Sequence, residues 1–122
     1  MSIILHITSR RQWRQSKIAR EYRDDTLDSD GFIHCSTLEQ IIKVANALFH
    51  GRRDLVLLCI ESDRVKAEIK YEGVKGGELY PHIYGPLNID AVINVLDLKP
   101  DKNGMFQLPR ELTVCPDKNY TA

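Results

Sequence analysis

GFIHCSTLEQIIKVANALFHGRRDLVLLCIE, residues 31–61, reads as strand, helix and strand in direct succession, and this order frames the rest of the chain. Phe32 to Cys35 forms a short extended segment after Gly31. Thr37 with Gln40 three residues on is a capping-box pattern, in which each side chain serves the other residue's backbone amide. Leu38, Ile41, Ile42, Ala45, Leu48 and Phe49 then fall on one face at helical spacing. His50 is read as a residue meeting the last helical carbonyls, and Gly51 as the left-handed stop. DLVLLCIE is a nearly continuous apolar run, which predicts a strand covered on both faces.

Working towards lower numbers, Ile3, Leu5 and Ile7 alternate with Ile4, His6 and Thr8, a strand pattern. Thr8 or Ser9 can cap a helix over residues 10–20, with Trp13, Ile18, Ala19 and Tyr22 as its apolar face. The polar stretch DDTLDSDG connects it to Phe32. Working towards higher numbers, a turn at residues 62–64 precedes a strand over residues 67–72. Gly73, Gly76 and Gly77 open a loop to Glu78. A short extended piece around His82, a Gly85-Pro86 turn and a strand over residues 91–98 follow. The tail after Pro100 carries a turn at Asn103-Gly104 and few apolar residues. One domain is expected over residues 1–122, its core at about 3–98 and an extension at 99–122.

Composition narrows the function classes. The 122 residues are 43% apolar and 28% charged, which fits a globular domain rather than a disordered chain. Lys+Arg and Asp+Glu each number 17, so the basic excess of a general nucleic-acid binder is absent, and an RNA substrate is not favoured. Cys35, Cys59 and Cys115 form an odd set without metal-ligand spacing, the pattern of reduced thiols without disulfides. Only three consecutive apolar residues, Ile3 to Leu5, precede His6, too few for a signal-peptide core or a membrane span. A soluble, cytoplasmic protein is the expectation.

The chemically informative feature is a recurrence. His6-Ile7-Thr8, His34-Cys35-Ser36 and His82-Ile83-Tyr84 each place an imidazole two residues before a hydroxyl. In extended chain such residues share a face, and the apolar residue between them points the other way. One triplet is explained by a hydrogen-bonded core histidine; three on strands predict a common polar face. Neutral imidazole donates and accepts, and Ser36 and Thr37 at a helix start add hydroxyls and free amides suited to a phosphate. A nucleotide-like or phosphorylated small molecule fits this set. Glu72, at a strand end before the glycine loop, can face the same cleft, and Tyr80 and Tyr84 can stack on a flat ligand. Arg52 and Arg53 are read as a solvated basic turn, and Trp13 and Tyr22 as core.

LHIT, GFIHCST with its capped helix, GRRDLVLL and PHIYGPLNIDAV resemble the domain of unknown function 952 family from about Ile4 to Val95. That family is similar in turn to the ADP-ribosyltransferases. The resemblance implies an α+β fold, a compact split mixed sheet with two main helices. It also implies NAD as substrate rather than resident cofactor. His6 and Thr8 would match the motif that holds the adenosine-side ribose, with Ile7 in place of its glycine. His34, Ser36 and Thr37 would match the second motif. The third motif, a glutamate, has no direct counterpart, leaving Glu72 and His82 as the catalytic candidates. A transferase is therefore one reading, and a non-catalytic nucleotide- or phosphate-binding module the second. A metal-dependent hydrolase built on His6, His34 and His82 is the third, although no short two-histidine spacing supports it.

Overall fold

The protein is described by a computed structural model, which covers residues 2–73 and 75–114. It is an α+β fold of several small antiparallel sheets with two main helices. β1 (Ile3–Ser9), β4 (Leu55–Glu61) and β8 (Val92–Leu98) form one sheet with β4 in the centre. β3 (Ile33–His34), β6 (Tyr80–Tyr84) and β5 (Glu68–Glu72) form another with β6 in the centre. β2 (Glu21–Tyr22) pairs with β7 (Leu87–Asn88). Ser36, just past β3, exchanges two backbone hydrogen bonds with Leu5, both 2.8 Å, and so joins the two larger sheets. Every strand pair described is antiparallel, which corrects the mixed sheet expected. The connections return the chain in the opposite direction each time, so no parallel crossover forms.

The apolar run behaves as its composition demands. All seven residues of β4 are buried, and its side chains alternate between two cores. Val56, Leu58 and Ile60 face one with Ile4, Trp13, Tyr22, Ile33 and Ile83. Leu55, Leu57 and Cys59 face the other with Leu5, Ile7, Ile41, Ala45 and Phe106. Each fully buried leucine or isoleucine contributes roughly 1.5–3 kcal/mol, so this sheet carries much of the stability. By the two-residue period, His6 and Thr8 lie on the Ile4 face of β1, against the first core.

The helices follow the capping signals with instructive departures. α1 (Arg10–Ala19) begins at Ser9, whose Oγ accepts from the Gln12 amide at 3.0 Å. It stops at Arg20 in the left-handed conformation, so Tyr22 belongs to β2 and not to the helix. Ile18 is 84% exposed, and Ala19 is exposed too, so only Trp13 of the expected face enters the core from this helix. The Thr37–Gln40 box forms by half: the Thr37 amide donates to Gln40 Oε1 at 3.0 Å. The first turn is wound by bonds to the Thr37 carbonyl, and regular helix α3 (Ile41–Leu48) starts later than the pattern suggests. Leu48 is 73% exposed, which corrects its assignment to the buried face. Gly51 is left-handed, at φ 80°, and its amide donates to the Gly104 carbonyl. The exposed His50 ring lies beside Gly104, where the turn expected at Asn103-Gly104 forms, rather than against the helical carbonyls.

Two expectations change elsewhere in the chain and one holds. DDTLDSDG is not structureless: α2 (Asp25–Ser29) forms within it, capped by Asp24. The turn expected at Ser62–Arg64 forms, wound as a single 3-10 turn. The tail is not merely polar, because Phe106 and Leu112 are buried in the second core and α4 (Arg110–Val114) ends the described chain. Cys35 and Cys59 are free and buried; Cys115 lies outside the described residues, as does Val74 in the glycine loop. Among the described residues, no helix is long and apolar enough to cross a membrane.

Candidate functional site

A cleft of about 1000 Å³ opens between α3 and the end of the molecule where β1, β3 and β6 present their histidines. His6, Thr8, His34, Ser36 and His82 all line it. Val44, Ala47 and Leu48 of α3 form an apolar wall, which explains why Leu48 is not in the core. Thr37, Glu72 and Tyr84 do not line the cleft. Glu72 and Tyr84 instead stand behind His82, and Thr37 is tied to Gln40 at the start of the helix.

The histidines fall into two polar clusters that meet at His34. His6 is buried, with both ring nitrogens engaged. Nδ1 lies 2.5 Å from the His34 carbonyl oxygen, so it carries a hydrogen and donates. Nε2 lies 2.7 Å from the Tyr22 hydroxyl, which also lies 2.7 Å from Asp24 Oδ1 and 3.0 Å from Thr8 Oγ1. Asp24 closes this cluster at 3.6 Å from His6 Nε2. Its other oxygen caps α2 and accepts from the Thr26 hydroxyl at 2.7 Å. Burial alone would raise the Asp24 carboxyl, but its bond to His6, the His6 charge and the Thr26 and Tyr22 hydroxyls hold it well below the usual carboxylate range. Burial, with Asp24 adding to it, pushes the Tyr22 hydroxyl far above its usual value, so Tyr22 stays a donor.

The second cluster is aromatic and partly open. His34 and His82 are direct cross-strand partners, their rings edge-to-face at 5.2 Å. Phe32 stacks on His82 at 4.0 Å with planes 18° apart, and also touches His34 and Tyr84. His34 Nε2 bonds Asp30 at 2.9 Å, and this ring is half exposed to the cleft. His82 Nδ1 bonds Glu72 Oε1 at 2.9 Å, and the Tyr84 hydroxyl donates to the same oxygen at 2.5 Å. Tyr84 first, then His82, holds the Glu72 carboxyl below its usual value. The same bond raises the Tyr84 hydroxyl. Lys70 lies over the Tyr84 ring at 4.7 Å and adds positive charge.

Two cations border the cleft, and both are paired. Lys43 bonds Glu78, and Arg52 grips Asp54 through two nitrogens while lying over Phe49. Among the described residues no three His, Cys, Asp or Glu side chains come together as a metal would require, so the hydrolase alternative has no geometric support.

Tyr22, Asp24, Thr26 and Phe32 belong to the site and were not singled out for it. Tyr22 was read as core, and its ring is fully buried; only its hydroxyl reaches the polar cluster. Asp24 before a run with further acids at Asp25 and Asp28 is a helix-start signal that marks α2, and with it the loop facing the histidines. Nothing in the spacing announces Phe32 as the platform beneath His82.

The chain matches the family described as protein of unknown function (DUF952) over residues 7–95. The crystal structure of protein CC0527 from Caulobacter crescentus is 34% identical, with a TM-score of 0.84, over 93% of this chain and all, 100%, of that one. The solution NMR structure of CC0527 is 36% identical, with a TM-score of 0.77, over 88% of this chain and 94% of that one. No curated protein matches the chain.

Proposed function

Because the chain belongs to the DUF952 family, whose description carries no activity, we propose from the cleft itself that it binds a nucleotide-like ligand, with NAD or an ADP-ribosyl compound as the first candidate. One observation carries this reading: three imidazole–hydroxyl segments, distant in sequence, bring their histidines to the edge of one cavity. A volume of about 1000 Å³ suits a ligand of dinucleotide size. The apolar wall of Val44, Ala47 and Leu48 can cover a flat ring, while His34 and Tyr80 offer aromatic edges opposite it. Lys43 and Arg52 stand where phosphates would draw them from Glu78 and Asp54.

The division of labour differs between the histidines. Both nitrogens of His6 are bonded to protein, so His6 shapes the site by fixing the His34 backbone and the Tyr22 hydroxyl, and a sugar hydroxyl reaches it only by displacing Tyr22. His34 presents open surface to a ligand, and His82, largely buried, lines the cleft beside it. Without the Glu72–His82 pair the arrangement would be a binding module; with it, chemistry at the nicotinamide ribose is the reaction that fits.

Calorimetric titration with NAD, ADP-ribose and inorganic phosphate separates these outcomes. Saturable heat with ADP-ribose in the micromolar range is expected. His34→Ala should weaken it about tenfold, as loss of one aromatic contact and one hydrogen bond would. Chromatographic assay of nicotinamide released from NAD then distinguishes an enzyme from a binder. No heat with any of the three, and no nicotinamide, refutes the reading.

A further inference from the structure

We propose that His82 is the proton acceptor of the cleft, fixed in that role by Glu72 and Tyr84. The inference deepens the nucleotide reading and rests on it for the substrate. Its geometric basis is independent: a carboxylate, a phenol and an imidazole arranged so that only one tautomer satisfies all three.

Glu72 Oε1 receives two contacts, from His82 Nδ1 at 2.9 Å and from the Tyr84 hydroxyl at 2.5 Å. A carboxylate only accepts, so the phenol and Nδ1 must both bring hydrogens. In neutral imidazole a hydrogen on Nδ1 leaves a lone pair on Nε2. That nitrogen makes no hydrogen bond among the described residues and lies on the ring edge away from Glu72, in the side chain that lines the cleft. Phe32 stacked on the ring face prevents it from turning over. Glu72 and Tyr84 come from the neighbouring strands β5 and β6, Glu72 opposite Tyr80 and Tyr84 opposite Glu68, so the trio sits on sheet and not on a loop. A base needs a fixed tautomer, an orienting partner and an open nitrogen, and His82 has all three. Among the imidazoles of the cleft it alone combines a carboxylate partner with a stacked ring: His6 has no open nitrogen, and Phe32 meets the His34 ring at a tilt.

The step is hydrolysis of the nicotinamide–ribose bond. His82 Nε2 takes a proton from water as the water oxygen bonds to the ribose carbon. The ribosyl C–N bond breaks, and nicotinamide leaves as a neutral molecule with that electron pair. ADP-ribose remains, and the proton on His82 passes to solvent.

Nitrogen NMR of the histidine rings reads the tautomer directly, and diethylpyrocarbonate reads the open nitrogen, with sites resolved by mass spectrometry. The Nδ1–H form at His82 is expected in wild type. Diethylpyrocarbonate should acylate His82 faster than His6, and Glu72→Gln should slow that acylation on the order of tenfold, the lower end of what losing an outer orienting partner costs. Tyr84→Phe should have a smaller effect in the same direction. Nicotinamide release should fall at least tenfold in kcat in His82→Gln with KM little changed. An Nε2–H tautomer in wild type, or release that persists in His82→Gln, overturns the proposal. ADP-ribose that binds by calorimetry alongside NAD that never yields nicotinamide overturns the catalytic step and leaves the ligand reading intact. Expected tautomer and reactivity without protection by ADP-ribose refute the ligand reading and leave the base standing.

Discussion

Asp24 joins three tasks in one carboxylate: it caps α2, accepts from Tyr22 and faces His6. Removing it takes the cap from the Thr26 amide and one acceptor each from the Thr26 and Tyr22 hydroxyls, so Asp24→Ala is expected to cost about 2–3 kcal/mol in urea unfolding at pH 7. The pH dependence has a definite sign. The carboxyl is held below its ordinary value of 3.8 in the folded protein, so its stabilisation is complete above that value and fades as pH falls through it. The gap between wild type and Asp24→Ala should therefore narrow between about pH 4 and pH 2; a constant gap would show that Asp24 is not the titrating partner. Cysteine reactivity is a second test at this scale. Burial raises the Cys35 thiol far above its usual range and the Cys59 thiol to about 11. Neither should react with iodoacetamide at pH 8 unless the protein is unfolded, as peptide mass spectrometry will report.

Elements whose signal is local and repeated were legible in the sequence. β4 was plain because six apolar residues in a row, Leu55 to Ile60, have only one comfortable place, between two cores. α1 was plain because Ser9 caps it, as one of the two residues proposed. The short elements were not: two-residue strands such as β2 and β7 have no period to detect, and they exist because their partners hold them. The tail was misjudged for a similar reason, since a single Phe106 is no pattern. Its place is set by Asn46 on α3, which accepts from the Phe106 amide at 2.7 Å and donates to the Phe106 carbonyl at 3.3 Å. Phe106→Ala should lower stability by about 3–4 kcal/mol, and Asn46→Ala by about 1–2 kcal/mol, in denaturant melts. Because both act on one docking contact, the double variant should lose less than the two costs combined. The candidate site was half legible: the histidine recurrence marked its rim, whereas Tyr22 and Asp24 enter through β2 and α2, the very elements that periodicity could not show.

For the molecule as a whole, the two cores share one partition, the sheet of β1, β4 and β8. Amide exchange should reflect this. Leu57, Leu58 and Cys59, bonded on both sides and covered on both faces, should exchange only through global unfolding. Amides of α2, a five-residue helix with no buried residue, should exchange orders of magnitude faster. Protection in α2 equal to that in β4 would mean that the loop facing the histidines is welded to the core rather than hinged on Asp24.

The central place of β4 also dictates when the chain can fold during its own synthesis. Its two neighbours lie on opposite sides of it in the sequence, β1 at Ile3–Ser9 and β8 at Val92–Leu98. A nascent chain that has reached β4 holds a two-stranded ribbon with one naked edge, and roughly the span of another thirty residues must emerge before that edge is sealed. Over that interval the open edge of β4, rather than the speed of helix formation, is where the unfinished chain is most exposed to wrong pairing.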